Sequence, residues 1–472
     1  MTVLIAILAI VFVLGVAINI HELGHFMVAK LFGMRVEAYS FFGLGPRLFG
    51  FKIGNTDYRV SAIPLGAYVK LYGDEATAPL EGGSSAEKSV EDFMAERNIG
   101  EGGAKIDPVP REELYELRPR WQKFLVMLGG PFMNIVLALA IPFGLGLTYG
   151  VPINPAPIVG AVKAGGAAEQ AGIKVGDRVV AFDGIQDPSW DRIQDDALLN
   201  PEKPLPVSVE RDGKRLDLTI SPTKITESGQ SGGILDMDAD NGTEPVVVGQ
   251  LDTSLPAAAD GVQVGDWITS VNDKPIRNVQ EMKSIVAESK DQPIKLSIDR
   301  SGQKVTITTH AGQKDGEFRI GVGFDPTLLN RREKVGIAGA ASFAVTSNLR
   351  ILRMTGSALG QVGTGQRSAR DTVSGPIGIG QIIVQTVLSG GFIGLLPVLM
   401  MISLSLGVMN LLPIPMLDGG QILVLGIEKV MSWFGRTLSL VARERIQLTG
   451  LAIVLLLMVT VIFFDVSRLV GK

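Results

Sequence analysis

Four apolar runs, each long enough to cross a bilayer, constrain what this 472-residue chain can fold into. They cover Val3–Ile20, Phe124–Tyr149, Phe392–Leu412 and Leu448–Phe464. Roughly 20 residues rising about 1.5 Å each span a hydrocarbon core of about 30 Å. Inside that core every backbone N–H and C=O must be paired within the protein, so the runs are expected to be helices. Composition agrees: the chain is 46% hydrophobic and only 19% charged, where soluble domains carry roughly 25% charged residues. A net charge of -4 offers no basic face, so no nucleic-acid partner is expected. The first run lacks a basic leader and a small-residue cleavage site, so it reads as a retained helix rather than a signal peptide.

The expected architecture is an α-helical polytopic membrane protein. Its transmembrane helices cover 1–32, 123–150, 388–418 and 446–468, with a membrane-associated β segment at 33–122. Flanking charge orients the spans. Lys30, Arg35, Arg47, Lys52, Arg118, Arg120 and Lys123 lie between the first two apolar runs, and Lys429, Arg436, Arg443 and Arg445 follow the third. By the positive-inside rule both connections face the cytoplasm, and the long connection between spans two and three lies outside. Residues 76–112, rich in Gly, Ser, Glu and Lys, read as a partly disordered insert in the first inner connection, with a solvated loop that has no role as the plainer alternative. Residues 335–387 mix Gly-rich turns with amphipathic stretches such as Ser342–Leu359 and read as a membrane-associated segment.

The outer connection repeats itself. Ala171-Gly-Ile-Lys-Val-Gly-Asp177 recurs as Asp260-Gly-Val-Gln-Val-Gly-Asp266, an offset of 89 residues. Val207-Ser-Val-Glu-Arg-Asp-Gly213 recurs at the same offset as Leu296-Ser-Ile-Asp-Arg-Ser-Gly302. Two matches in register indicate duplicated domains. Alternating apolar segments such as Arg178–Phe182 and Pro206–Arg211 read as strands, with Asp212-Gly213 as a hairpin turn. The pattern AGIKVGDRVVAFDG resembles PDZ domains of bacterial membrane and periplasmic proteases, which places mixed β/α domains at 155–228 and 244–330. PDZ domains take an extended peptide at a sheet edge, often by its free C-terminus, although a rigid spacer would carry the same pattern.

The chemistry concentrates where the first apolar run ends, in His21-Glu22-Leu-Gly-His25. Residues i and i+4 project from one helix face, so both imidazoles can meet one ion, with Glu22 beside them to take a proton from an activated water. Helix capping at the membrane interface would not explain three ionisable groups interrupting an apolar helix. The chain has no cysteine, so any metal here takes nitrogen or oxygen ligands. A catalytic zinc keeps three protein ligands and one open position. The remaining histidine, His310, falls in the second outer repeat, so the third ligand is expected to be a carboxylate at the inner end of another span. Asp418 is the carboxylate in that place, in Asn410-Leu-Leu-Pro413-Ile-Pro415-Met-Leu-Asp418-Gly419-Gly420. An aspartate opening a helix near Gln421–Trp433 would look the same in isolation.

HELGH in the first span paired with NLLPIPMLDGG after the third resembles the site-2 protease family of intramembrane zinc metalloproteases, and the resemblance covers nearly the whole chain. PLGAYVKLYGDE (Pro64–Glu75), GGPFMN (Gly129–Asn134) and SGPIGIGQ (Ser374–Gln381) also look like that family's landmarks. The tandem PDZ-like repeats place the resemblance among bacterial inner-membrane members acting on anti-sigma factors in envelope stress responses. It implies that His21, His25 and Asp418 bind Zn2+ and that Glu22 is the general base. It implies further that Asn410, Pro413 and Pro415 position the substrate backbone, and that Pro64–Leu71, with Gly66 and Tyr68, offers it an edge strand. The implied partners are the lipid bilayer and a single-span transmembrane protein as substrate, with a peptide C-terminus at the PDZ domains and the PDZ pair as a periplasmic gate. Three other readings compete. One is a different membrane zincin with Glu75 or Glu81 as third ligand, although neither sits in a span. A scaffold with a structural metal would have no use for Glu22, and a zinc transporter would want several intramembrane acids.

Overall fold

The computed structural model describes residues 2–63, 66–72, 110–227, 230–240, 242, 246–290, 292–314, 317–324, 332–436 and 438–470. Most of the expected insert, up to residue 109, lies outside these, as do Pro64, Leu65, Glu75 and Glu81. The described chain divides into two units: residues 1–145, 340–352 and 373–472, and residues 146–339 and 353–372.

The first unit holds helices α1 (Thr2–Leu31), α2 (Arg120–Tyr149), α3 (Pro376–Asn410), α4 (Asp418–Trp433) and α5 (Leu440–Val470). Four stretches are long and apolar enough to cross a membrane: Leu4–Leu31, Arg120–Tyr149, Gly390–Asn410 and Arg445–Arg468. Helix α1 packs on α3 through Ala9, Val13 and Ala17, one residue per turn, against Ile383, Val387, Leu395, Val398 and Leu399. Against α2 it packs through backbone. A Cβ on Gly24 would collide with the Gly129 carbonyl, and one on Gly129 would lie 2.7 Å from the Gly24 carbonyl oxygen. Small residues let helices approach this closely where the surrounding lipid is as apolar as a leucine side chain.

Helix α3 is two helices joined at Gly391 (φ 62°, ψ −164°), a conformation that favours glycine. Its first turn is capped in trans. The buried Asp465 carboxylate of α5 accepts the backbone N–H groups of Gly375, Ile377 and Gly378 at 3.0–3.1 Å. These donors have no partner within their own helix, and the cap gives SGPIGIGQ a physical role. Two boundaries differ from expectation. The third span was expected to run to 418, but α3 ends at Asn410 and Asp418 opens the next helix. Pro413 and Pro415 have no N–H to continue the helix. Residues 335–387 hold helices Ile337–Gly363 and Ala369–Thr372, and their last stretch already belongs to α3.

Between α1 and α2 lies a four-stranded sheet of β1 (Val36–Phe42), β2 (Leu44–Ile53), β3 (Thr56–Ile63) and β4 (Tyr68–Leu71), in the order β2-β3-β1-β4. β4 is an edge strand, antiparallel to β1 with Val69 opposite Tyr39. The other edge, β2, leaves Leu48, Phe49, Phe51 and Ile53 more than half exposed, an apolar surface that suits lipid better than water.

The second unit contains the duplication in three dimensions. Arg178–Phe182, Ile185–Gln186, helix Trp190–Leu199, Leu205–Arg211 and Lys214–Ile220 begin 89 residues before Trp267–Val271, Lys274–Pro275, helix Val279–Ser289, Ile294–Arg300 and Gln303–Thr309. Each copy closes over its own apolar core, around Phe182 and Ile193 in the first and around Ile268 and Met282 in the second. The first copy extends beyond 228. Met237–Ala239 pairs with Val159–Val162 in a two-stranded sheet of its own, and Leu235, Met237 and Ala239 join the core, because the chain returns to it after a hairpin.

Each repeated Gly-Asp turn is held by an arginine 34 residues later. Arg211 makes a two-pronged contact with Asp177 (2.7 and 2.7 Å) and donates to the Gly172 carbonyl. Arg300 does the same to Asp266 (2.7 and 2.8 Å) and Gly261. Burial opposes ionisation of Asp266. The hydrogen bonds from Arg300 and the Gln263 N–H, with the Arg300 charge, outweigh it and hold the carboxyl below its ordinary value. Burial likewise opposes ionisation of Asp177 and is outweighed by Arg211 and the Lys174 N–H. A depressed folded-state pKa contributes stability above the unfolded value of about 3.9, and that stability is lost as pH falls towards the folded value. Asp266→Asn is therefore expected to destabilise the second copy at pH 7 by on the order of 1–3 kcal/mol. It should also flatten the acid limb of the stability profile, and thermal unfolding of the full chain between pH 2 and 7 is the check.

Candidate metal centre

Helix periodicity places His21 and His25 on one face of α1, and this face meets α2 and the start of α4. His21 Nε2 lies 3.2 Å from His25 Nε2 and 3.1 Å from Asp418 Oδ2, while His25 Nε2 lies 3.5 Å from Asp418 Oδ1. Among the described residues these three form the one group of His, Cys, Asp or Glu fit to hold a metal, their ligand atoms within 4.8 Å of one another. His310 is exposed and lies in the other unit. The reading of Asp418 as a helix-opening aspartate also describes it: it is the first residue of α4, and its carboxylate faces the two imidazoles.

The donor set fits zinc. Two imidazole nitrogens and a carboxylate are the ligands of open, catalytic zinc sites. His25 Nδ1 is 2.7 Å from the Val126 carbonyl, which accepts the ring N–H and leaves the Nε2 lone pair free. Asp418 Oδ2 is buried without a hydrogen bond of normal geometry. Gly130 of α2 completes the cradle. A Cβ there would collide with His25 Nε2 and lie 2.8 Å from His21 Nε2.

The turn 411–417 sets the position of Asp418. Met416 holds a positive φ of 84°, an uncommon conformation for a side-chain-bearing residue that persists where surrounding structure enforces it. A Cβ on Gly419 would collide with the Leu411 and Leu412 carbonyls, and one on Gly420 with that of Ile414, so Asp-Gly-Gly lets the turn fold back onto α4. Pro413 and Pro415 lie in this turn, and Pro415 packs against Gly450 of α5. Farther along α4, buried Glu428 meets Arg443 at 2.6 Å, Arg443 meets Glu116 at 3.0 Å, and Glu116 meets Lys123 of α2 at 3.0 Å. This chain of ion pairs ties α4 to α2 and α5.

Asn410, the last residue of α3, brings its amide nitrogen within 3.2 Å of His21 Nε2. Glu22 faces β4, where its Oε2 accepts the Val69 N–H at 3.1 Å. Gly66 and Tyr68 flank that contact: Gly66 accepts the Gly43 N–H, and the Tyr68 ring lies under Arg59.

The model of Peptidase family M50 matches residues 9–457. The chain belongs to Peptidase family M50. Relatives agree in length as well as pattern. The regulator of sigma-E protease RseP of Escherichia coli is 30% identical over 97% of both chains, and that of Salmonella typhimurium 29% over 98% of both. The regulator of sigma-W protease RasP of Bacillus subtilis is 26% identical over 48% of this chain and 64% of its own length. Among solved structures, the PDZ domain of an SdrC-like protein from Listeria innocua aligns with 17% of this chain and 93% of its own, at 20% identity and a TM-score of 0.16. The protein is a zinc metalloprotease of the site-2 type, with apolar helices that make it a membrane protein.

In this M50 peptidase several residues of the centre carry no chemical signature in the sequence. Gly130 and Asn134 both belong to GGPFMN, where neither glycine nor asparagine advertises chemistry. Val126 and Val69 take part through backbone atoms, which no side-chain pattern reveals. Gly130 offers the sharper test, since alanine at a helical position ordinarily favours the helix by about 0.5–1 kcal/mol. Gly130→Ala is expected to abolish zinc retention in detergent-purified protein while its helical circular dichroism persists. Zinc retained at wild-type stoichiometry would mean that the cradle is elsewhere.

Proposed function

We propose that this protease cuts within the bilayer, hydrolysing a peptide bond in the transmembrane segment of a single-span membrane protein, with Zn2+ held by His21, His25 and Asp418. The supporting observation is that these three ligands converge on a helix face inside the apolar stretch Leu4–Leu31. Zinc bound there supplies a Lewis acid that activates water and polarises the scissile carbonyl. Glu22, on the same helix, takes the proton of the attacking water and passes it to the leaving amine. Its hydrogen bond from Val69 fixes the carboxylate beside edge strand β4.

A helical substrate is a poor target, because its backbone carbonyls are already paired. Once unwound, it can add to the free edge of β4, which satisfies the released backbone groups and brings the chain to the residue that holds Glu22. Gly66 and Tyr68 then belong to the docking strand, and Asn410, Pro413 and Pro415 to the opposite wall. Sequence similarity to RseP and RasP favours regulated proteolysis of an anti-sigma factor at the bacterial inner membrane. The duplicated β/α unit is read as two tandem PDZ domains, periplasmic by the positive-inside argument, which take a peptide C-terminus or screen substrates.

Two measurements test this. Wild type and Glu22→Gln should each hold about one zinc and Asp418→Ala far less, with Glu22→Gln inert towards a model single-span substrate. Zinc retained by Asp418→Ala would move the third ligand elsewhere. Replacing small or helix-breaking residues in the substrate span by leucine should slow cleavage at least tenfold, and unchanged cleavage would remove the unwinding step.

A further inference from the structure

The buried amide of Asn134 carries a contradiction whose resolution gives the residue a role. Asn134 is fully buried on α2, and its backbone is fixed by the Ser403 hydroxyl of α3, which donates to the Asn134 carbonyl at 3.0 Å. Its side-chain nitrogen lies 3.3 Å from His21 Nδ1, while its side-chain oxygen is buried without a partner. With that orientation the amide donates to Nδ1, the ring carries its proton on Nε2, and no lone pair is left for a metal at the atom that faces Asp418 and His25. Oxygen and nitrogen of an amide are distinguished by their partners alone. A half-turn of the amide places Oδ1 against Nδ1, where it accepts the ring N–H, and returns the lone pair to Nε2, the atom that also lies 3.2 Å from the Asn410 amide nitrogen. One rotation thus pairs the orphaned oxygen and converts His21 into a ligand.

We infer that Asn134 is the positioning residue of the first ligand: its Oδ1 accepts His21 Nδ1–H and holds the tautomer and ring plane in which Nε2 binds zinc. The two histidines are then oriented by the same device from the same helix, His25 through the Val126 carbonyl at 2.7 Å and His21 through the Asn134 side chain. Hydrogen bonds of this kind raise ligand basicity, and their loss typically lowers metal affinity roughly 10–100-fold. The inference rests on the zinc reading and adds a residue outside both ligand motifs.

The test compares full-length protein in detergent as wild type, Asn134→Asp and Asn134→Leu. Zinc affinity is read by competition with a chromophoric chelator, and site geometry by the visible bands of the cobalt(II)-loaded protein. Aspartate keeps an acceptor oxygen opposite Nδ1, whereas leucine fills the space without one. Asn134→Leu is expected to lose roughly 10–100-fold in zinc affinity and to shift the cobalt bands, while Asn134→Asp stays within a few-fold of wild type. Equal losses in both variants, or wild-type affinity in Asn134→Leu, would overturn the inference while leaving the ligand set intact. A wild type that binds no zinc would overturn the zinc reading itself. If Asn134→Leu does not fold, as judged by thermal unfolding of the metal-free protein, Asn134→Ala takes its place under the same criteria.

Discussion

The approach of α1 to α2 through Gly24 and Gly129 is the constraint on which the centre depends. Side chains of ordinary size would hold the two axes apart by the width of a methyl group or more. Val126, Gly130 and Asn134 would then lie out of reach of the histidines. Because backbone meets backbone, the first helix can present two imidazoles to a wall made of a carbonyl, a bare Cα and one amide. Within a bilayer the attraction that holds such a contact is packing and hydrogen bonding rather than release of water, so its closeness is itself the source of stability.

The same economy governs how α3 and α4 reach the site. A transmembrane helix that simply ended at Asn410 would leave its last carbonyls unpaired, and a second helix starting there would point away. Instead the proline-containing turn folds back, and two glycines permit the return, so that Asp418 arrives as the opening residue of a new helix. The positive φ of Met416 shows that this turn is held by its surroundings. The Glu428–Arg443–Glu116–Lys123 chain fixes the far half of α4, and the trans cap from Asp465 fixes the far end of α3. Asp418 therefore sits on a path anchored at both ends, which bends at Gly391 and again after Asn410.

Much of this was legible in the sequence, and the parts that were not share a reason. Apolar runs, the spacing of His21 and His25 and the 89-residue duplication are periodic or local signals, and a linear reading captures them. The first duplicated unit extends past its expected end because Met237–Ala239 packs into its core by pairing with Val159–Val162, a contact across some 75 residues that leaves no periodic trace. The expected third span runs to 418 because the NLLPIPMLDGG motif is counted with it, whereas the helix stops at Asn410 ahead of two prolines that cannot continue it. Asp418 was reached by reasoning about which spans share a face. Gly130, Asn134 and Val126 were not assigned, since their contributions are the absence of a side chain, a neutral amide in an apolar helix and a main-chain carbonyl. Only proximity reveals such roles.

The bare Cα of Gly130 has a consequence for chemistry from outside the protein. Because the main chain of α2 closes one side of the cluster, no group larger than a hydrogen atom fits at Gly130 between that helix and the two imidazole nitrogens. A group that reaches an ion held by His21, His25 and Asp418 would therefore have to come from a side other than that of α2.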